Sequence, residues 1–303
     1  MTRANVSRVV LPFAAVTLIW GTTWYVIKTQ LGIVPPQWSV AYRFAVASLL
    51  MFGACIVMRR SLRFPLAAHG FFLALGLFQF AGNFNFVYQA SRSVTSGLIA
   101  VVFALLVVPN TLFARLFLKQ PISGRFMVGA ALGIVGVGLL FERELTETGW
   151  SGAFVTGLAL TGCAVILASI SNVMQGMERA RRYDMFGMLA FAMLYGAIID
   201  AGIAWVTSGP PVVEWTPAYL GGVFYLAAFA SALAFVLYFN VIRIIGPAWA
   251  AYSSVLIPFI AMTISTVLEG YRWTPVAVAG AVLTIVGLVI ALRARSVPAG
   301  TAA

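Results

Sequence analysis

The chain has 303 residues, of which 62% are hydrophobic and only 9% are charged, and its mean hydropathy is +0.99. Average soluble domains are roughly 45–50% apolar and about 25% charged, so this composition excludes a soluble protein of this size, which could not cover its surface. The net charge of +11 would suit a nucleic-acid partner in a soluble chain, but here the basic residues fall in short loops between apolar runs. That placement indicates orientation in a membrane, and the sequence predicts an integral membrane protein.

Apolar runs long enough to cross a bilayer follow one another along the chain. A spanning helix needs about 20 mostly apolar residues, and these runs lack the alternation of a transmembrane β-barrel. The sequence therefore predicts an all-α fold with ten transmembrane helices, at 9–28, 36–58, 70–90, 94–118, 122–141, 149–176, 185–207, 217–240, 247–268 and 274–293.

Basic residues near the span ends predict the orientation of the chain. With the N-terminus inside, 14 Lys and Arg residues lie on the inner side, 4 lie on the outer side, and Arg43 lies within a span. Cytoplasmic loops carry the excess of Lys and Arg in membrane proteins. Both termini are therefore predicted to be cytoplasmic.

Two glycine-rich stretches repeat at a fixed distance. Residues 129–140 (GAALGIVGVGLL) and 280–291 (GAVLTIVGLVIA) share six identical positions at an offset of 151 residues, close to half of the chain. This similarity indicates an internal repeat, in which the predicted halves 1–146 and 147–303 are two copies of one unit. Each half has five spans, an odd number, so the second enters the membrane in the opposite sense. Inverted repeats of this kind are typical of secondary transporters that work by alternating access.

Aromatic and polar residues recur at helical spacing in several spans. In the eighth span, intervals of seven, four and three residues predict one shared face, formed by Phe224, Ser231, Phe235 and Tyr238. A single stripe is more often packing, lipid contact or an interfacial belt. Polar groups among aromatics in several spans nevertheless predict a pocket for a flat, mostly apolar ligand. The predicted substrate-binding residues are Trp20, Trp24, Tyr42, Gln79, Asn83, Phe84, Tyr225, Phe229, Trp249, Tyr252 and Ser253.

Two charged side chains, Arg43 and Asp200, fall inside predicted spans, where a central charge costs roughly 2.5–3.5 kcal/mol on translocon scales. Two interpretations of Arg43 stay open. In the first, Arg43 binds a substrate carboxylate. In the second, it pairs with Asp200 or with backbone carbonyls and fixes the bundle; the second is favoured because snorkelling of the side chain towards the outer interface lowers the cost of its charge. We assign both residues a structural or conformational role.

The sequence also bears on energy coupling. No carboxylate lies near the middle of a predicted span, and the single histidine, His69, falls in a predicted cytoplasmic loop. A proton-coupled carrier usually needs an intramembrane Asp, Glu or His. Facilitated, concentration-driven transport is therefore expected rather than obligatory proton antiport.

Pro109 and Pro258 occupy nearly corresponding positions in the two halves. Each removes a backbone donor and favours a kink, and interrupted helices at matching positions mark binding sites and moving parts in transporters. Simple helix curvature is an equally weighted alternative. The small residues of the two glycine-rich stretches predict close packing within the bundle ahead of a dimer face, so a monomer or weak dimer is expected.

Short motifs in chain order carry a family resemblance. They are WGTTWYVIK at 20–28, AYRFA at 41–45, the two span prolines and Leu268-Glu269-Gly270. Together they resemble the EamA-type, ten-helix branch of the drug/metabolite transporter superfamily, and within it the YddG-type aromatic amino-acid exporters. The resemblance implies a multi-pass exporter of amino acids in a bacterial inner membrane. That family often has a glutamate after the fourth span; Gln120 stands there, whereas Glu269 holds the matching place after Pro258 and is assigned a structural or conformational role.

Rival functions find little support in the sequence. One histidine, two cysteines and two aspartates predicted on opposite sides of the membrane offer no catalytic dyad and no metal site, and neither lysine follows a glycine as in a Walker A motif. No enzyme activity, cofactor, metal, nucleotide or nucleic acid is expected; the partners are a small-molecule substrate and the bilayer. A proton-coupled exporter of another metabolite or drug is the alternative function, and a channel or non-transporting membrane protein is less favoured.

Overall fold

The computed structural model describes residues 9–140, 142, 146, 151–251 and 253–293. All regular structure within these residues is helical. The long helices, numbered in chain order, are α1 Leu11–Thr29, α2 Pro36–Val57, α3 Leu66–Ala90, α4 Ser96–Leu118, α5 Gly124–Leu140, α6 Gly152–Gly176, α7 Met185–Ser208, α8 Pro217–Ile245, α9 Ser253–Leu268 and α10 Pro275–Arg293. Six of them, α2, α3, α4, α6, α7 and α8, are long and apolar enough to cross a membrane. The predicted all-helical membrane class is confirmed.

Local sequence sets where these helices begin. The Ser151 side chain accepts a hydrogen bond from the Phe154 amide at 3.3 Å, and Asp184 accepts from the amides of Phe186 and Gly187 at 3.1 and 3.3 Å. These side chains satisfy backbone donors that have no partner in the first turn of a helix. The helices α2, α8 and α10 begin with proline, whose fixed φ angle suits the first helical position, and Thr216 and Thr274 also cap α8 and α10.

Two predicted boundaries are wrong in a way that matters for the site. Helix α3 begins at Leu66, directly after Pro65, so His69 lies in a helix and not in a loop; its Nδ1 is 2.7 Å from the hydroxyl of Tyr195 on α7. The predicted ninth span, 247–268, is also not one helix; Gly246, with a φ of +86°, ends α8 directly before it. A four-residue helix, Pro247–Ala250, follows before α9 begins.

Two helices contain π-helical segments, Gly76–Gly82 in α3 and Ala228–Leu233 in α8. A π segment bonds from i to i+5, and its extra residue per turn rotates the rest of the helix. Phe224, before the second segment, is 54% exposed, whereas Phe235 after it is buried. The single face predicted for the eighth span is therefore wrong, because the spacing argument assumed an uninterrupted α-helix.

The two span prolines do not have matching effects. Helix α4 is interrupted by a turn at Leu105 and Leu106, just before Pro109. Proline lacks an amide hydrogen, and its ring clashes with the carbonyl four residues earlier, which here is that of Leu105. Pro258 instead lies inside α9 without a break in the described helix.

Aromatic side chains fill the centre of the bundle. The ring of Phe44 on α2 lies 5.0 Å from the rings of Phe80 and Phe84 on α3, and Phe80 lies 5.1 Å from Phe235 on α8. Tilted and edge-on pairs at such distances stabilise beyond simple area burial. This core therefore ties α2, α3 and α8 together beside the candidate site.

The two glycine-rich stretches pack directly against each other, on α5 and α10. A Cβ atom at Gly136 would lie 2.5 Å from Thr284 Oγ1 and 2.6 Å from the carbonyl oxygen of Gly280, and one at Gly287 would lie 2.6 Å from the carbonyl oxygen of Gly129. Only glycine permits backbones to approach this closely. The predicted packing of these small residues within the bundle is confirmed.

This contact generates a stability prediction. We expect Gly136→Ala to destabilise the protein by about 1–3 kcal/mol, because its methyl group must displace the backbone of α10. The matched control is Gly138→Ala, two residues along the same helix, where a Cβ meets nothing within 4 Å. Thermal unfolding of both variants in detergent micelles measures the difference. Equal melting temperatures for the two variants would contradict the packing.

Candidate functional site

A cavity of about 70 Å³ lies among α1, α2, α3, α4, α6, α8 and α9. Ligand pockets in proteins commonly combine apolar walls with a few polar groups. The aromatic part of the wall is formed by Trp20, Trp24, Phe84, Phe103, Phe235 and Tyr238. The cavity therefore has the chemical character of a small-molecule site.

Helix α1 supplies two tryptophans, four residues apart and therefore on one face. Trp20 packs against Tyr238 with ring centroids 4.8 Å apart, and its Nε1 donates to the carbonyl oxygen of Ala230 at 3.0 Å. Ala230 belongs to the π segment of α8, so the unusual helix geometry coincides with an acceptor for this indole. Trp24 packs against Phe103 at 4.8 Å, and its Nε1 has no hydrogen-bond partner among the described residues.

Side-chain amides form the polar part of the wall. Gln79 lies in the π segment of α3, and its Oε1 accepts a hydrogen bond from Ser171 of α6. Asn172 donates to the hydroxyl of Tyr238 at 3.3 Å. Asn83 lines the cavity while its buried Oδ1 has no partner within the described part of the chain. The cavity thus presents both an aromatic surface and a free amide acceptor.

Arg43 brings a fixed positive charge to the cavity. Its side chain is fully buried, its Nε donates to Ser231 Oγ at 2.9 Å, and its guanidinium carbon lies 4.2 Å from the ring centroid of Phe84. An arginine over an aromatic ring gains a cation–π interaction. Beside its two terminal nitrogens lies the buried hydroxyl of Tyr88, and no described carboxylate forms an ion pair with them.

Asp200 is not the partner of Arg43. The buried Asp200 carboxylate accepts a hydrogen bond from Asn85 Nδ2 at 2.5 Å, and no ion pair between described residues joins Asp200 to Arg43. Asp200 is also not part of the cavity wall. Of the interpretations left open by the sequence, the pairing of these two residues is therefore wrong.

Six of the predicted substrate-binding residues meet at the cavity, namely Trp20, Trp24, Gln79, Asn83, Phe84 and Ser253. Three others, Tyr42, Tyr225 and Phe229, lie outside its wall. The Tyr42 hydroxyl donates to the carbonyl of Val212, and the Tyr225 hydroxyl bonds to Thr22 at 2.5 Å. Phe229 stacks on Tyr225 and is 46% exposed.

The last two predicted substrate-binding residues are Trp249 and Tyr252. Trp249 lies in the short helix Pro247–Ala250 and is not part of the cavity wall. Tyr252 lies outside the described residues. Ser253, at the start of α9, lines the cavity.

Sequence reasoning missed the contribution of α6, which places Asn172 and Ala168 in the wall. A signal was present in the sequence. The second half of this apolar helix carries buried polar residues in close succession, Ser169, Ser171, Asn172 and Gln175. Polar groups inside a membrane helix usually face the protein interior, so this run could have marked the wall.

A polar cluster joins α1, α4 and α9 where α1 and α9 end. Lys28 Nζ lies 3.0 Å from Glu269 Oε1, and the same carboxylate accepts hydrogen bonds from Ser265 and, at 2.6 Å, from Ser96. Burial by itself would raise the pKa of the Glu269 carboxyl, but the hydrogen bonds from Ser265, Ser96 and Lys28 outweigh it and hold the pKa below its usual value. The cluster therefore fastens these three helices while Glu269 is ionised.

A membrane bundle with a cavity of aromatic and amide walls among its helices has the form of a membrane transport protein. Comparison with protein-family models places it more narrowly. The model of the EamA-like transporter family matches residues 8–142 and 155–293, so the chain belongs to the EamA-like transporter family.

Individual relatives agree with this family. Protein PagO of Salmonella typhimurium is 25% identical over 289 residues, which cover 94% of this chain and 93% of that protein. The uncharacterized inner membrane transporter YedA of Escherichia coli is 29% identical over 262 residues, covering 84% of this chain and 81% of YedA. A crystal structure of another protein superposes with a TM-score of 0.74 at 18% identity, covering 98% of this chain and 100% of that one, and supports the fold alone.

The polar cluster generates a pH prediction. A carboxyl whose pKa is lowered in the folded protein stabilises it above the pKa of the unfolded chain, and that stabilisation is lost as the pH falls through the folded pKa. Melting temperature should therefore fall on acidification below the usual carboxyl range, and Glu269→Gln should flatten this dependence. The control is Glu178→Gln, at an exposed i,i+4 ion pair. The same pH dependence in wild type and Glu269→Gln would contradict the role of the cluster.

Proposed function

We propose that this member of the EamA-like family is a secondary carrier that exports small molecules with a flat apolar part, foremost aromatic and other apolar amino acids. The observation that carries the proposal is the cavity, whose wall contains Trp20, Trp24 and Asn83, the last with a side-chain oxygen that has no partner among the described residues. Aromatic rings stack on such walls, while the amide offers a directional hydrogen bond. The export direction and the amino-acid class rest on the resemblance to aromatic amino-acid exporters.

The proposed architecture is ten membrane-crossing helices in two inverted halves, 1–146 and 147–303. Displacing the first π segment, Gly76–Gly82, by 151 residues gives 227–233, and the second π segment occupies Ala228–Leu233. The two segments matched by the family model are of similar length. The same 151-residue offset that relates the glycine-rich stretches thus also relates the two helix irregularities beside the cavity.

The proposed orientation has both termini in the cytoplasm of a bacterial inner membrane. One end of the bundle collects basic residues from several helices. There Arg60 lies 3.4 Å from Asp184, Arg179 donates to the carbonyl of Ala67, and Arg243 donates to the carbonyl of Ala180. An excess of basic residues is typical of the cytoplasmic face.

Alternating access fits the position of the cavity between the proposed halves. Its wall contains residues of α1 to α4 from the first proposed half and of α6, α8 and α9 from the second. The Lys28–Glu269 ion pair joins α1 to α9, one helix from each half, at the proposed outer end. We propose that this pair separates when the cavity opens outwards.

We further propose that transport follows the substrate gradient without obligatory proton coupling. The described residues of the cavity wall include no carboxylate and no histidine that could exchange a proton with the substrate. One observation favours the alternative, a proton-coupled exporter of another metabolite or drug. The buried carboxyl of Asp200 has Asn85 as its hydrogen-bond partner and no cation beside it among the described residues.

Counterflow in proteoliposomes tests the proposed function. Vesicles preloaded with unlabelled phenylalanine, with no ion gradient, should transiently accumulate labelled phenylalanine, because a carrier exchanges substrate and an open pore does not. A panel with Phe, Trp, Thr and Met then ranks the substrates. Uptake only under an imposed proton gradient would favour the proton-coupled alternative, while linear, non-saturating flux would favour a channel.

The amide of Asn83 generates a substrate-affinity prediction. Asn83→Ala should raise the apparent KM for counterflow about fivefold, the effect of losing one hydrogen bond worth roughly 1 kcal/mol. The matched control is Asn240→Ala, an exposed asparagine on α8 outside the cavity wall, which should leave KM unchanged. Equal KM values for the two variants would remove Asn83 from the substrate site.

A further inference from the structure

We propose that Arg43 makes the cavity an acceptor for a carboxylate, so that it binds aromatic carboxylic acids with or without an amino group and rejects the corresponding amines and amides. This inference rests on the proposed function, because it takes the same cavity as the substrate site. It adds the charge of the ligand, which neither the family nor the aromatic wall specifies.

Arg43 has no acidic partner among the described residues of the protein. Arg43 is fully buried, and the guanidinium stays protonated in proteins. A buried charge without a partner is costly, and its usual compensation is an ion pair with good hydrogen-bond geometry. The described carboxylates in the bundle do not pair with Arg43: Asp200 accepts a hydrogen bond from Asn85 through one oxygen, and Glu269 pairs with Lys28. The partner that is missing from the protein is therefore supplied by an anionic ligand.

The guanidinium of Arg43 is held in a fixed plane. Ser231 accepts a hydrogen bond from Nε, and the ring of Phe84 lies 4.2 Å from the guanidinium carbon. The two terminal nitrogens carry four N–H donors beside the single hydroxyl of Tyr88, so donors remain for a ligand on this residue of the cavity wall. A pair of terminal guanidinium nitrogens matches the two oxygens of a carboxylate.

The cavity wall offers less to the amino group of a ligand than to its carboxylate. Arg43 is the single charged residue among the described residues of the wall, so no carboxylate is available there for an ammonium group. The free Oδ1 of Asn83 can accept one hydrogen bond from it. Hydrogen bonds to charged groups are worth more than neutral ones, so the carboxylate dominates recognition and the amino group contributes less.

Binding of four related compounds to the purified full-length protein in nanodiscs tests the inference. The compounds are phenylalanine, 3-phenylpropanoate without the amine, phenethylamine without the carboxylate, and phenylalanine amide. We expect the propanoate to bind within about fivefold of phenylalanine, and the amine and the amide at least about tenfold more weakly, as expected for losing a charged hydrogen-bonded pair.

Three variants test whether Arg43 causes the preference for the acid over the amide. Arg43→Gln should equalise the acid and the amide, and Arg43→Lys, which restores the charge, should recover the preference in part and shows that the site still folds. Arg92→Gln, at an exposed arginine outside the cavity, should leave it unchanged. An acid-to-amide ratio that is the same in wild type and Arg43→Gln would overturn the inference.

Chloride is the other source of negative charge and is titrated against bound 3-phenylpropanoate. If chloride does not displace 3-phenylpropanoate, the result supports a carboxylate site. If chloride displaces it and the acid and the amide also bind equally, Arg43 binds an inorganic anion and the inference is overturned. If phenylalanine and its amide bind equally, the aromatic substrate class stands and the carboxylate inference alone fails. If none of the four compounds binds, both fail.

Discussion

The hydrogen bonding of the backbone within an apolar environment is the constraint on which this structure depends. A helix satisfies its own amides and carbonyls, and an irregular segment is tolerated only where other groups supply the missing partners. Both π segments lie beside the cavity, and in one of them the Ala230 carbonyl accepts a hydrogen bond from Trp20. The irregularity that turns Phe235 inwards is thus stabilised by a side chain of the cavity itself.

Charged side chains, like backbone polar groups, need partners in an apolar environment. At the helix ends, where water can reach, acidic and basic groups are paired, as in Lys28 with Glu269 and Arg60 with Asp184. Within the bundle, Arg43 is held by a serine hydroxyl and an aromatic ring and has no carboxylate beside it among the described residues. A buried guanidinium at the cavity wall without a carboxylate from the described residues concentrates electrostatic free energy at that cavity. This contrast makes the cavity chemically specific, whereas its aromatic wall alone would accept many flat molecules.

The sequence anticipated much of the wall but not its limits. Trp20, Trp24 and Asn83 were found because tryptophans and amides are uncommon at helical spacing inside apolar runs. Phe229 was expected at the cavity and lies at an exposed surface, because the π segment of α8 changes the direction of the residues around it. Asn172 was missed although it stands in a polar run of α6, since no aromatic residue beside it drew attention to that helix.

By itself, the sequence determined the helical membrane class and the approximate positions of the helices, because apolar length and charged ends are properties of each segment alone. It also pointed to the glycine-rich stretches as packing surfaces. Only the tertiary structure decided that these stretches meet each other, that Asp200 bonds to Asn85, and that Arg43 lies at the cavity without a carboxylate. Those outcomes depend on how helices distant in the chain are rotated against one another. A π segment alters that rotation by one residue but leaves the hydropathy of the helix unchanged, so hydropathy alone does not reveal it.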